Sequence, residues 1–389
     1  MIPKSGNYPS QKIIRNNRLE RQFDSIGLYP ALVYGRLGHS PESHCEMPDN
    51  QNMKSAAPTL AEIARLFDDL PGPDVEAAEA TRAREAELLK PPGALGRLER
   101  ICEWLSAWQG RHPPGAERLM VAVFAGNHGV VAQGVAPYPQ RVTAQMVESF
   151  RHGGAAINQL CLSVGAGLQV FDLALEQPTA DITEAPAMSE TDCAAAFLYG
   201  REAIAEAPDI VCLGEMGIGN TTVASALVMA LHGGRAADWV GPGTGSHGGM
   251  LARKTAAVEK AVALHAGHPP LELLRRLGGR EFAAIAGAIV AARFERVPVI
   301  LDGFCACAAA AVVKALAPGG VEHCLAGHVG GEPAHRRLLE ILGLEPLLDL
   351  GMRLGEASGA TLALGVVAAA ARTHAGMATF AEAGVSGRA

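Results

Sequence analysis

Aromatic side chains are scarce in this chain: they make up 5% of its 389 residues, although hydrophobic residues as a whole reach 49%. The core must therefore be built from alanine, leucine and valine, which favours close helix packing over a β-sandwich. No apolar run reaches the length of a membrane span; the stretch from Ser358 to Ala371 comes nearest and is too short and too rich in alanine. No secretory signal peptide opens the sequence. Positive charge is not in excess, and a net charge of −7 speaks against a general nucleic-acid binder. Metal-type cysteine spacing is also missing. The eight cysteines (45, 102, 161, 193, 212, 305, 307 and 324) are scattered, several in apolar runs, as expected of reduced, buried thiols in a cytoplasm. Cys305 and Cys307 lack C-x-x-C spacing, so even with His323, Cys324 and His328 downstream they read as packing, not as a zinc site.

Glycine, by contrast, is abundant, with 45 residues, and the chain turns on one glycine-rich stretch. Asp209 to Leu213 is predicted to be a short buried strand, because apolar and β-branched residues run without alternation. Gly214, Gly217 and Gly219 break it, and Asn220, Thr221 and Thr222 offer cap-type side chains before an apolar helical run. A strand, a glycine turn and a helix start bring free backbone N–H groups and a positive helix end to one point. That suits an anion, above all a phosphate. Glu215 in the same turn repels a phosphate unless it points at a hydroxyl or a cation. On the glycines alone an ordinary βα turn is an equal alternative, since the stretch is neither a P-loop nor a dinucleotide fingerprint.

Along the chain, residues 1–57 are rich in Asn, Ser, Arg and Pro and carry no sustained period; they are expected to be a disordered or spurious extension outside the fold. Residues 58–115 read as three helical segments. Strands are predicted at 119–125, 168–172, 209–213, 298–302 and 322–326, alternating with helices, and the chain is expected to be helical again after Pro346. This predicts an α/β fold with a mainly parallel, doubly wound (Rossmann-like) sheet over 116–344. Residues 58–115 and 345–389 are expected to form a smaller helical domain.

Glycine turns at 126–129, 214–219, 241–245, 303 and 327–331 are each read as following a strand, and in such a sheet they converge on one crevice. Asn127, His128, Glu215, Asn220, Thr221, Asp302 and His328 lie on them and together suggest a site for a polar small molecule. Lys254, after the turn at 241–245, has two open readings, a solvated helix face or a phosphate contact. So does Glu356: an acid complementing the dipole of the helix from Ser358, or a general base in apolar surroundings.

Four motifs, Lys90 to Glu99 (KPPGALGRLE), Gly214 to Thr222 (GEMGIGNTT), Leu301 to Phe304 (LDGF) and Met352 to Glu356 (MRLGE), resemble the nicotinate-nucleotide:dimethylbenzimidazole phosphoribosyltransferases of cobalamin biosynthesis. The resemblance runs in order from about Leu60 to the C-terminus. It implies that Glu356 is the catalytic base and that Glu215, Gly217, Gly219, Asn220, Thr221, Gly243 and Lys254 hold the phosphate and ribose of nicotinate mononucleotide. It also implies a base pocket at Tyr138, Gln145, Met146, Met216 and Leu354. Tyr138 and Met146 depart from the small polar residues of some members, and Asn127 stands where members often carry Asp. The implied protein is a cytoplasmic homodimer that takes nicotinate mononucleotide and a benzimidazole-type base, needs no cofactor or metal, and binds neither nucleic acid nor membrane. The same reaction on adenine or a phenol, and a non-catalytic nucleotide-binding paralogue, are the alternatives.

Overall fold

The computed structural model of the chain describes residues 57–243 and 245–386; the expectation for the N-terminal extension lies outside them, apart from Ala57. Helices α1 (Leu60–Arg65), α2 (Val75–Glu87) and α3 (Arg97–Gln109) precede strand β1 (Leu119–Ala125). Then come α4 (Val142–Arg151), α5 (Ala156–Val164), β2 (Gly167–Asp172), α6 (Glu190–Glu202) and β3 (Ile210–Met216). Helices α7 (Asn220–His232), α8 (Ala236–Trp239), α9 (Gly249–His265), α10 (Pro270–Leu277) and α11 (Arg280–Phe294) run before β4 (Val299–Leu301). The chain continues through α12 (Phe304–Leu316), β5 (Cys324–His328), α13 (Pro333–Leu342), β6 (Pro346–Leu348) and α14 (Ser358–Gly376).

These strands form a six-stranded sheet, all parallel, in the order β2-β1-β3-β4-β5-β6. The expected α/β class is what is found. All seven residues of β1 are buried, as an apolar strand requires when helices cover both faces of the sheet. Alternation then divides the core. Met120, Ala122, Phe124, Val211, Leu213, Val299 and Leu301 face one layer with α6, α7 and α11. Leu119, Val121, Val123, Ala125, Ile210, Cys212 and Ile300 face the other, with α3, α4, α5 and α14.

Small residues compensate for the scarcity of aromatics. In α11, residues 281–293 are buried throughout, and it packs against α6 at two glycines. A Cβ on Gly287 would stand 1.8 Å from the Phe197 carbonyl oxygen, and one on Gly200 would stand 1.8 Å from that of Ala284. The few aromatics gather: Phe124 stacks on Phe171 at 4.9 Å, and Tyr199 meets Phe171 edge-on.

The structure corrects several local expectations. The chain after Pro346 is not helical at once: Pro346–Leu348 pairs with β5 as an edge strand. The strand expected at 322–326 is shifted to Cys324–His328, so His328 is a strand residue. Gly214 does not end β3, which continues through Glu215 to Met216. The turn at 241–245 follows helix α8, not a strand. Helices α6 and α13 answer to no expectation, although Ser189 caps the first by accepting from the Asp192 N–H and Pro333 opens the second.

Candidate active site

The strand order reverses between β1 and β3, and in open parallel sheets ligands bind outside the carboxyl ends of the strands at such a switch point. Here the ends of β3, β4 and β5, the turn at 241–243 and the segment 352–356 enclose a cavity of about 400 Å3. Tyr138, Met146, Met216 and Leu354 give it apolar walls, while Glu215, Asn220, Thr221, Glu332, Arg353 and Glu356 bring polar groups to it.

Glu356 reaches this cavity because α14 starts flush against the sheet. A Cβ on Gly214 would stand 2.2 Å from the Ala357 backbone nitrogen, one on Gly327 would stand 2.6 Å from Ala360 Cα, and one on Gly359 would meet the His328 ring. With no side chain at these places, the Glu356 N–H donates to the Glu215 carbonyl at 3.0 Å. Glu356 and Ala357 both hold a positive φ, 69° and 63°, which non-glycine residues adopt only under constraint. On one side of them lies that bond to Glu215; on the other, Asp302, buried at the end of β4, accepts through Oδ1 from the Ala360 N–H at 2.9 Å. Glu356 therefore is not the acid that satisfies the helix start; Asp302 holds that place.

Burial raises the Glu356 carboxyl to about 7, with the Asp302 charge adding to the effect. Its Oε2 has no hydrogen-bond partner among the described residues. Burial likewise raises Glu215 to about 8, helped by Glu281, Asp302 and Glu356, although Asn220 opposes the shift by donating from Nδ2 to Glu215 Oε2. Two enclosed carboxyls beside one cavity do not both ionise freely near neutrality.

Lys254 is almost fully buried, which overturns the solvated-face reading. Its Nζ donates to Thr221 Oγ1 at 2.9 Å and to the Gly241 carbonyl at 2.8 Å, tying the 241–243 turn to the start of α7. Gly243, at φ 55°, leaves room for this: a Cβ there would stand 2.8 Å from Thr221 Oγ1. Glu332 fixes the same turn by accepting from the Gly243 N–H at 2.7 Å. Desolvation lowers Lys254 from its ordinary value, with Glu332 opposing.

A family model described as phosphoribosyltransferase matches residues 70–385. The nicotinate-nucleotide–dimethylbenzimidazole phosphoribosyltransferase of Rhizobium etli (strain CIAT 652) is 64% identical over 83% of this chain and 96% of that protein. The enzyme of that name from Sinorhizobium fredii (strain NBRC 101917 / NGR234) is 61% identical over 86% of this chain and all of its own. The chain belongs to the nicotinate-nucleotide–dimethylbenzimidazole phosphoribosyltransferase family. A crystal structure of the Thermus thermophilus member superposes with a TM-score of 0.75 at 44% identity, covering 81% of this chain and all of that one.

Against this phosphoribosyltransferase fold, the residues singled out from sequence divide clearly. Glu356, Glu215, Gly217, Asn220, Thr221, Gly243, Tyr138, Met146, Met216 and Leu354 all line the cavity. Gly219, Lys254 and Gln145 do not. Gly219 precedes α7 at φ 92°, and Lys254 acts from behind Thr221. Gln145 is exposed, because adjacent residues on α4 point about 100° apart and Met146 takes the inward direction. Asn220 is no cap: α7 lacks a side-chain cap, and the amide is bound to Glu215 instead. Asp302 and His328 were visible as polar residues near strand ends, but their contact with the start of α14 was not. Glu332 carried no sequence signal for the cavity, and Arg353 only its place in the MRLGE motif, since their partners on the 241–243 turn lie about a hundred residues away in sequence.

Proposed function

We propose that this phosphoribosyltransferase moves the phosphoribosyl group of nicotinate mononucleotide to 5,6-dimethylbenzimidazole, giving α-ribazole 5′-phosphate and nicotinate. The observation that carries the reading is Glu356, a buried carboxyl at the cavity wall raised to about 7, with one oxygen unpartnered among the described residues. A base poised near the working pH gives the most useful proton transfer. One ring nitrogen of the benzimidazole attacks C1′ as the C1′–N bond to nicotinate breaks, and that electron pair neutralises the pyridinium. The proton on the other ring nitrogen passes to Glu356. Attack from the face opposite the leaving group inverts β to α. The leaving group departs without an acid, so activating the nucleophile and aligning it are the main demands.

Glu215, beside Asn220, is suited to the ribose hydroxyls, and at about 8 it is a neutral donor over much of the neutral range. The phosphate is assigned to Gly217, the start of α7 and the Gly243 turn, with Lys254 as the buried positive charge behind them. Tyr138, Met146, Met216 and Leu354 are assigned to the flat heterocycle. Because Gln145 faces away, this wall offers little to hydrogen-bond an exocyclic amine, which favours dimethylbenzimidazole over adenine. Competition decides it: given nicotinate mononucleotide and equimolar dimethylbenzimidazole, adenine and phenol, the protein should form mainly α-ribazole phosphate. A predominantly adenine or phenolic product would overturn the assignment of the base.

We take the working unit to be a cytoplasmic homodimer. Seven free, buried cysteines among the described residues support a reducing compartment, and no helix among them is long and apolar enough to cross a membrane. Tyr138 and Leu354 are 50% and 48% exposed at the cavity rim, surface that a second copy would cover. A monomeric mass by light scattering at working concentration would refute the dimer.

A further inference from the structure

We propose that Asp302 is a positioning residue for Glu356: its buried carboxyl holds the first turn of α14, so fixing the loop that carries the Glu356 side chain, and stands beside it as a second acidic group. This rests on the base role given to Glu356 above.

The geometry is specific. The Asp302 backbone is locked to the sheet by its N–H, which donates to the Leu213 carbonyl at 3.2 Å. Its carboxylate accepts from the Ala360 N–H at 2.9 Å and lies near the N–H groups of Gly359 and Ala357. The N-terminus of α14 has no other side-chain cap among the described residues, so one buried carboxylate supplies the acceptor for a helix end that starts two residues after Glu356. Because Glu356 and Ala357 are held at positive φ, releasing that anchor allows both to relax and the carboxylate to leave the cavity wall.

The ionisable groups around Glu356 come from several elements. Glu215 on β3, His328 on β5, Glu332 ahead of α13 and Arg353 in its own loop share the cavity. Behind them, Glu281 of α11 acts on Glu215, and Lys254 of α9 is coupled to Glu332. After burial itself, Asp302 is the neighbour that raises Glu356. Burial pushes Asp302 upward too, but His328 Nε2 at 3.6 Å and the helix N–H groups pull it back towards the ionised form.

Two variants separate charge from geometry, each read as kcat against pH with saturating nicotinate mononucleotide. Asp302→Asn keeps an oxygen acceptor and removes the charge; the acidic limb should move down by about one pH unit, with kcat at pH 8 falling several-fold. Asp302→Glu keeps the charge and misplaces the acceptor; the limb should stay in place while kcat falls at least tenfold. An Asp302→Asn limb that stays at its wild-type position overturns the proposal, whatever happens to kcat. If Asp302→Asn shows no folded melting transition, a wild-type kcat in Asp302→Glu overturns it. Glu356→Gln, measured alongside, separates the two failures: wild-type turnover there would sink the base role itself. An inactive Glu356→Gln beside a wild-type Asp302→Asn profile would sink only the role of Asp302.

Discussion

The backbone N–H of Glu356 donates to the carbonyl of Glu215 at 3.0 Å, joining two residues 141 positions apart in sequence. That bond puts a C-terminal carboxylate at the end of a central strand, and both carboxyls open on the same cavity.

Replacing Glu356 by Gln keeps the shape and removes the proton acceptor. We expect kcat to fall by about 100-fold or more while nicotinate mononucleotide binds with nearly unchanged affinity. Single-turnover release of nicotinate and calorimetry check the two halves. Turnover at the wild-type rate would show that the proton goes elsewhere.

The same pair makes stability depend on pH. Glu356 at about 7 and Glu215 at about 8 both stand above the ordinary 4.5, so between these values the folded chain binds more protons than the unfolded one. Their contribution is fully present below about 4.5 and is lost as pH rises through 7 and 8. Glu356→Gln should therefore melt above the wild type at pH 8.5, by about 1–3 kcal/mol in stability, and the difference should shrink with falling pH and close below about pH 4.5. A gap independent of pH would show that Glu356 is not raised in the folded state.

Gly214→Ala would drive a methyl against the Ala357 backbone, 2.2 Å away. Overpacking of this kind costs about 1–3 kcal/mol, and the displaced loop should lower kcat by about 100-fold. Chemical denaturation and steady-state kinetics measure both. Unchanged kcat would mean that the seating of α14 does not place Glu356.

Lys254→Met removes the donor shared by Thr221 and the Gly241 carbonyl. With buried acceptors left unpaired at about 1–3 kcal/mol each, the 241–243 turn should loosen and KM for nicotinate mononucleotide should rise at least tenfold. KM for the base, with the mononucleotide saturating, should change little. Equal effects on both would remove Lys254 from the nucleotide side.

Gly287→Ala serves as a contrast, because its methyl would meet the Phe197 carbonyl and neither residue lines the cavity. It should lower the melting temperature by several degrees, at a cost of about 1–3 kcal/mol, and leave kcat per folded molecule intact. A selective loss of kcat would mean that the packing of α6 on α11 reaches the site.

The sequence by itself determined the alternation of apolar strands and helices, the burial of the strand at 209–213, and the glycine turns that follow β1 and β4, because these depend on neighbours within a few residues. It also carried the motifs from which the family could be named. Only the tertiary structure decided that Gly214 is a point of close approach and not a strand end, that Asn220 serves Glu215, that Lys254 is interior, and that Asp302 holds α14. Apart from the Asn220–Glu215 bond, which closes across one turn, each of those facts is a contact between distant segments. A residue's type fixes what it can donate, accept or pack against, and the partner it finds is fixed by how the sheet and helices close around it.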